Sequence, residues 1–109
     1  CRRMDIVTEP EVEVALERIE AVTPLYAQAK ATRMQLKEFQ NTLKSRLRRQ
    51  SNGKTKDERD DYAHTHSEYL EWQDNYKLAL EEEEKYKWQL DLETTRISVW
   101  QTQSRNNRL

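Results

Sequence analysis

His64 and His66, with Asp60 one helical turn before them, are the residues whose types best suit metal coordination. On a helix Asp60 and His64 share a face. His64 and His66 point about 160° apart there and cannot ligate one ion together. The single Cys, at position 1, is far away in the chain and rules out an internal disulfide. The expectation is therefore of surface or seam-edge histidines and no metal. Glu81-Glu82-Glu83-Glu84 offers carboxylates for acid–base work, but nothing near it supplies a second catalytic role. One glycine in 109 residues cannot build a glycine-rich phosphate cradle, and no nucleophilic triad or dinucleotide fingerprint is present. The sequence thus predicts a protein that is not an enzyme and takes no cofactor.

Binding chemistry is better represented. Lys44, Arg46, Arg48, Arg49, Lys54 and Lys56 fall within thirteen residues that contain no acid. Such a cluster suits phosphates, with an affinity that falls as salt rises. Cations at a helix C-terminus also complement its dipole, and the cluster lacks the interleaved aromatics of a single-strand platform. Residues 57–93 carry thirteen acids against four bases. That helix should repel duplex DNA along its length, so nucleic acid is a partner only at the basic turn.

The elements that position these residues are helices. The composition is 35% hydrophobic and 36% charged, too polar for a compact core and suited to long helices that each bury one stripe. Thr8-Glu9-Pro10-Glu11 and Thr55-Lys56-Asp57-Glu58 read as capping boxes. Val12, Ala15, Leu16, Ile19 and Val22 start one apolar stripe; Leu25, Ala29, Leu36, Phe39, Leu43 and Leu47 continue it. Thr23-Pro24 is expected to kink or break this helix. Ser51-Asn52-Gly53 ends it, with Gly53 fitted to a left-handed position. In the second helix Tyr62, Tyr69, Tyr76, Glu83, Leu90 and Ile97 stand seven apart; Thr65, Trp72, Ala79, Tyr86, Glu93 and Trp100 follow each by three. That spacing makes one seam.

The predicted architecture is all-α. A flexible stretch covers 1–7 and one helical-hairpin domain covers 8–104. Its first helix runs about 9–50 with a break at 23–24, the turn is 51–55, and one helix spans about 56–104. The end, 105–109, is expected to fray. Folding at Gly53 pairs positions whose numbers sum to roughly 106, since both helices rise equally per residue. Leu43 then faces Tyr62, Leu36 faces Tyr69 or Leu70, Ala29 faces Tyr76, Leu16 faces Leu90 and Ile6 approaches Trp100. Glu83 falls opposite Thr23-Pro24, or pairs with Lys30 or Arg33. Glu83 and Glu93, polar positions in the seam, would fix the register.

A two-helix hairpin covers few large rings. Tyr69, Trp72, Tyr76, Trp88, Leu90, Ile97 and Trp100 are therefore read as an oligomer interface, closing a dimeric four-helix bundle. No apolar run approaches a membrane span, so a cytoplasmic protein without membrane contact is expected. Cys1-Arg2-Arg3 ahead of Met4 reads as an upstream extension or a processing scar.

Lys87-Trp88-Gln89-Leu90, Ile97-Ser98-Val99-Trp100 and Ser104-Arg105-Asn106-Asn107-Arg108 resemble the ending of small helical-hairpin proteins encoded by tailed bacteriophages. The resemblance covers the last half of the chain. Gln101 departs from it, standing where that ending commonly has Arg. It implies an accessory role in phage DNA recombination or replication, by association only, and carries over no functional residue. The expected function is binding to a protein or nucleic acid through the basic turn. The alternatives are an inhibitor of a host protein that uses the acidic helix face, or a structural coiled-coil element of a larger assembly.

Overall fold

The computed structural model describes residues 7–107, which form three helices and no strand: α1 Glu9–Gln50, α2 Lys56–Thr65 and α3 Ser67–Asn107. The expected flexible start, apart from Val7, and the Ile6–Trp100 approach lie outside the described residues.

α1 begins at the first capping box. The Thr8 hydroxyl accepts from the Glu11 N–H at 3.4 Å, and the Thr8 carbonyl accepts from Val12 N–H at 3.1 Å. The expected break at 23–24 is absent: α1 runs on through Pro24. Proline removes one backbone donor and crowds the turn before it. Here Pro24 is exposed, so the carbonyl that loses its partner is on the watered side of the helix. The Thr23 hydroxyl donates to the Ile19 carbonyl at 2.6 Å.

The buried and half-buried positions of α1 are Val12, Ala15, Ile19, Val22, Tyr26, Ala29, Arg33, Leu36, Gln40, Leu43 and Leu47, with Lys44 and Arg48 beside them. These eleven alternate by three and four without a slip, a seven-residue repeat carried straight across Pro24. Leu16, Leu25 and Phe39 were expected in this stripe; they stand exposed on its flanks.

The second half departs from expectation first at His66. α2 ends at Thr65, and His66 takes an extended conformation with φ −67° and ψ 142°. α3 then starts afresh, with the His66 ring Nδ1 accepting from Glu68 N–H at 3.1 Å and the His66 carbonyl accepting from Tyr69 and Leu70. An imidazole nitrogen thus does the work usual for a Ser, Thr, Asp or Asn cap. The break shifts the phase of α2: Ala63 is buried, while Tyr62 and Thr65 are exposed. From Tyr69 on, the expected seam is kept residue by residue: Tyr69, Trp72, Tyr76, Ala79, Glu83, Tyr86, Leu90, Glu93, Ile97 and Trp100 are all buried or half-buried. α3 stays helical through Asn107, past the expected end at 104.

The chain divides into two compact units. The first joins the N-terminal stretch up to Ala27 with the stretch from Glu84 onward. Here α1 buries Val12 and Ala15, and Val7 N–H donates to the Gln103 side-chain carbonyl at 3.2 Å. Arg18 reaches Glu93, which is buried and also takes Arg96 one turn on. The second unit, Gln28–Glu83, holds the main core: Leu43, Leu47, Ala63, Tyr69 and Trp72, with Leu36 and Tyr76 against them. His64, Tyr69, Trp72 and Tyr76 form a continuous ring series with centroids 5.1–5.4 Å apart. The Trp72 indole N–H donates to the Leu36 backbone carbonyl at 2.8 Å, and the Gln40 amide donates to the Tyr69 hydroxyl at 3.1 Å. Each buried polar ring atom therefore has its partner across the hairpin.

Candidate functional site

The turn joining α1 to α2 is held by local bonds. Ser51 N–H donates to the Arg48 carbonyl and Gly53 N–H to the Ser51 hydroxyl. The Thr55 hydroxyl caps α2 by accepting from Glu58 N–H at 3.1 Å, while the Glu58 carboxylate accepts from Lys54 N–H at 2.8 Å. Gly53 does not have positive φ, contrary to the left-handed expectation. Its role is clearance: a Cβ there would lie 2.7 Å from Glu58 Cβ and 3.2 Å from Arg59 N.

The six basic residues read as one cluster do not form one surface. Arg48 Nε lies 2.6 Å from Asp60 Oδ1, an ion pair whose N–H is not aligned on the oxygen. Arg46 pairs with Glu68. The Lys44 ammonium sits 5.8 Å from the Tyr69 ring centroid, where its stem covers the core. Arg49 Nε donates to the Ser45 carbonyl near the end of α1, where a cation complements the helix dipole. Lys54 and Lys56 are exposed. Among the described residues, Arg49, Lys54 and Lys56 make no ion pair.

The folding thus brings Asp60 to Arg48 and Glu68 to Arg46. A run counted along the chain missed the acids that the next turn of chain carries in. The roughly 106 pairing rule held the signal, since it already sets Arg46 and Arg48 close to Asp60.

The seam acids are resolved clearly. Arg33 holds Glu83 by two bonds, Nε to Oε2 at 2.7 Å and Nη2 to Oε1 at 3.1 Å, with both side chains mostly covered. Of the expected alternatives for Glu83, the cross-seam pair with Arg33 is formed. Arg18–Glu93 is its counterpart in the other unit. These pairs hold register and offer no open position for a reacting group.

His64 Nδ1 lies 2.8 Å from the Asp60 carbonyl, and His66 is used as a cap. Among the described residues no three of His, Cys, Asp and Glu gather as a metal site, and no helix is long and apolar enough to cross a membrane.

Of the expected interface residues, Tyr69 and Trp72 are 3% and 7% exposed, inside the chain's own core. Tyr76, Leu90, Ile97 and Trp100 are half-buried in the seam. Trp88 alone stands fully out, 63% exposed on the outer side of α3. The exposed apolar side chains that the predicted stripes left out are Val14, Met34, Leu78, Leu80, Leu92 and Val99. They fall outside the a and d positions of the repeat, which is why a seam-based reading passes over them.

No family model, curated protein or solved structure matches this chain.

Proposed function

We propose that the chain is a non-enzymatic helical binding protein of phage type, an accessory to DNA recombination or replication. It self-associates into a four-helix bundle and touches a protein or nucleic acid at the α1–α2 turn. The observation that carries the reading is the exposed trio Arg49, Lys54 and Lys56, which makes no ion pair among the described residues beside a turn fixed by its own caps. A fixed turn presents those charges without a backbone ordering cost on binding. Three phosphate contacts predict a shallow salt dependence, roughly −2 to −3 in log K against log salt. Self-association draws support from the large apolar side chains left exposed among the described residues, Trp88 at 63% and Leu78 at 61% foremost.

The test is size-exclusion with light scattering, with and without a labelled DNA oligonucleotide, at low and then moderate salt. Arg49→Glu, Lys54→Glu and Lys56→Glu together should abolish DNA binding and leave the mass unchanged. Binding that survives this triple change would sink the turn as the contact. Arg46→Glu and Arg48→Glu are poor probes, because each also breaks an ion pair with α3 or α2.

A further inference from the structure

The chain has two histidines, and they stand two residues apart where α2 gives way to α3. Their ring nitrogens meet opposite kinds of group. His64 Nδ1 lies 2.8 Å from the Asp60 carbonyl, which can only accept, so that nitrogen carries the hydrogen. His66 Nδ1 lies 3.1 Å from the Glu68 backbone nitrogen, whose N–H can only donate, so that ring nitrogen keeps its lone pair. Backbone groups thus hold the two neutral rings in opposite tautomers.

Acid acts on them differently. A proton added to His64 goes to Nε2 and leaves the bond to Asp60 in place. The charge then falls in the last turn of α2, where it complements the helix dipole. A proton added to His66 goes to Nδ1 and sets two donors against each other. Turning the ring restores no acceptor, because both nitrogens of an imidazolium carry hydrogen. The new charge also stands at the start of α3, the end of a helix that disfavours cations.

The charged groups around the junction are already engaged or stand clear of the cap. From α2 the Tyr62 ring centroid lies 5.5 Å from that of His66, Asp60 is held by Arg48 of α1, and Asp61 is exposed. From α3 the Glu68 carboxylate is held by Arg46 of α1. Lys44 of α1 lies over the Tyr69 ring, and the core residues Leu43 and Leu47 beside it carry no charge. Carboxylates, lysines, arginines and tyrosines ordinarily keep their charge between about pH 7.5 and 5.5, the window in which an imidazole takes up a proton.

We infer that the α2–α3 junction is a pH-responsive joint: acid charges His66, removes the α3 cap and loosens the first turn of α3, while the end of α2 holds. That turn carries Tyr69, a member of the main core, so the loosening reaches the packing of the second unit. The neutral ring belongs to the folded form. Its contribution is therefore present above the imidazole range and lost as pH falls through it.

The experiment compares urea unfolding of the full chain, at one fixed concentration and at both ends of that window, with that of His66→Asn and His64→Gln. Asn caps a helix with an acceptor that does not titrate. A lost cap lowers a folding constant by about 2- to 30-fold. On acidification the parent should lose at least about threefold relative to His66→Asn, since the carboxylate pairs are common to both chains. His64→Gln should keep the parent's loss or deepen it. Long-range nitrogen–proton NMR spectra of the parent, which need no variant, should show hydrogen on Nε2 of His66 and on Nδ1 of His64 at the upper end of the window. Hydrogen on Nδ1 of His66 there, or an equal acid response in the parent and His66→Asn, overturns the joint. A response that disappears in His64→Gln overturns it too, by placing the titration on the other ring.

Discussion

Replacing Glu83 by Leu, with Arg33 left in place, should destabilise the protein by about 2–3 kcal/mol. Arg33 is 26% and Glu83 14% exposed, so the pair lies between the exposed and the buried limits. Exposed ion pairs contribute ~0.2–1 kcal/mol, and breaking a fully buried pair costs ~3–5 kcal/mol. The lost bonds are both charge-assisted, and the guanidinium that remains is left facing Leu. Arg33→Leu alone should cost a similar amount. Putting Leu at both positions should bring stability back to that of the parent or above it, since two leucines fill a seam layer with no charge to desolvate. The coupling from this double-mutant cycle is then the sum of the two single losses, about 4–6 kcal/mol. Urea and thermal melts followed by far-UV circular dichroism at one fixed concentration read it. Each single change should lower Tm by roughly 8–24 °C. A double variant less stable than either single, with the two losses adding, would refute the reasoning. If the pair also sets register, the stable double variant should show a blunted near-UV signal from Trp72, whose ring stacks between Tyr69 and Tyr76.

Four further changes test the local readings. Gly53→Ala should cost about 1–2 kcal/mol, because Glu58 Cβ stands 2.7 Å from the new methyl and Glu58 is part of the α2 cap; an unchanged urea midpoint would contradict the clearance argument. His66→Ala should lose about 0.5–2 kcal/mol with the α3 cap, and His66→Asp should recover it; chemical denaturation of both variants checks this. Pro24→Ala should stabilise α1 by up to about 3 kcal/mol, visible as a higher Tm, because it returns a missing backbone donor in an otherwise continuous helix. Trp72→Phe keeps a ring between its neighbours but loses the bond to Leu36, for a loss of about 1–2 kcal/mol in urea melts.

The seam of α3 was legible from Tyr69 to Trp100 because one repeat covers it without interruption. The break at His66 was not, because no Gly or Pro marks it and a ring nitrogen is an uncommon cap. A trace was present: Ala63 is the small residue one place off the Tyr62 phase, and Glu68 follows as an acid in a first turn. Pro24 misled in the other direction. Its residue type outweighed the unbroken spacing from Val22 through Tyr26 to Ala29, which crosses it. Tyr62 and Leu16 misled through hydrophobicity alone, since each lies one position away from a seam place. At the turn, charge read along the chain was right in kind and wrong in surface. Asp60 and Glu68 neutralise arginines that precede them by twelve and twenty-two residues, a distance that only folding closes.

The matched repeats of α1 and α3 also set a rule for how this chain can change in length. Deleting one residue within either helix turns everything beyond it by about 100° and moves its apolar row off the partner. Removing seven from one helix restores the phase but slides Arg33 or Arg18 two turns from its carboxylate, leaving Glu83 or Glu93 facing the wrong layer. Length should therefore be exchanged only in paired heptads, one from each helix at the same level. The α1–α2 turn and the His66 break, where no helix phase crosses, are the places where single residues can come and go.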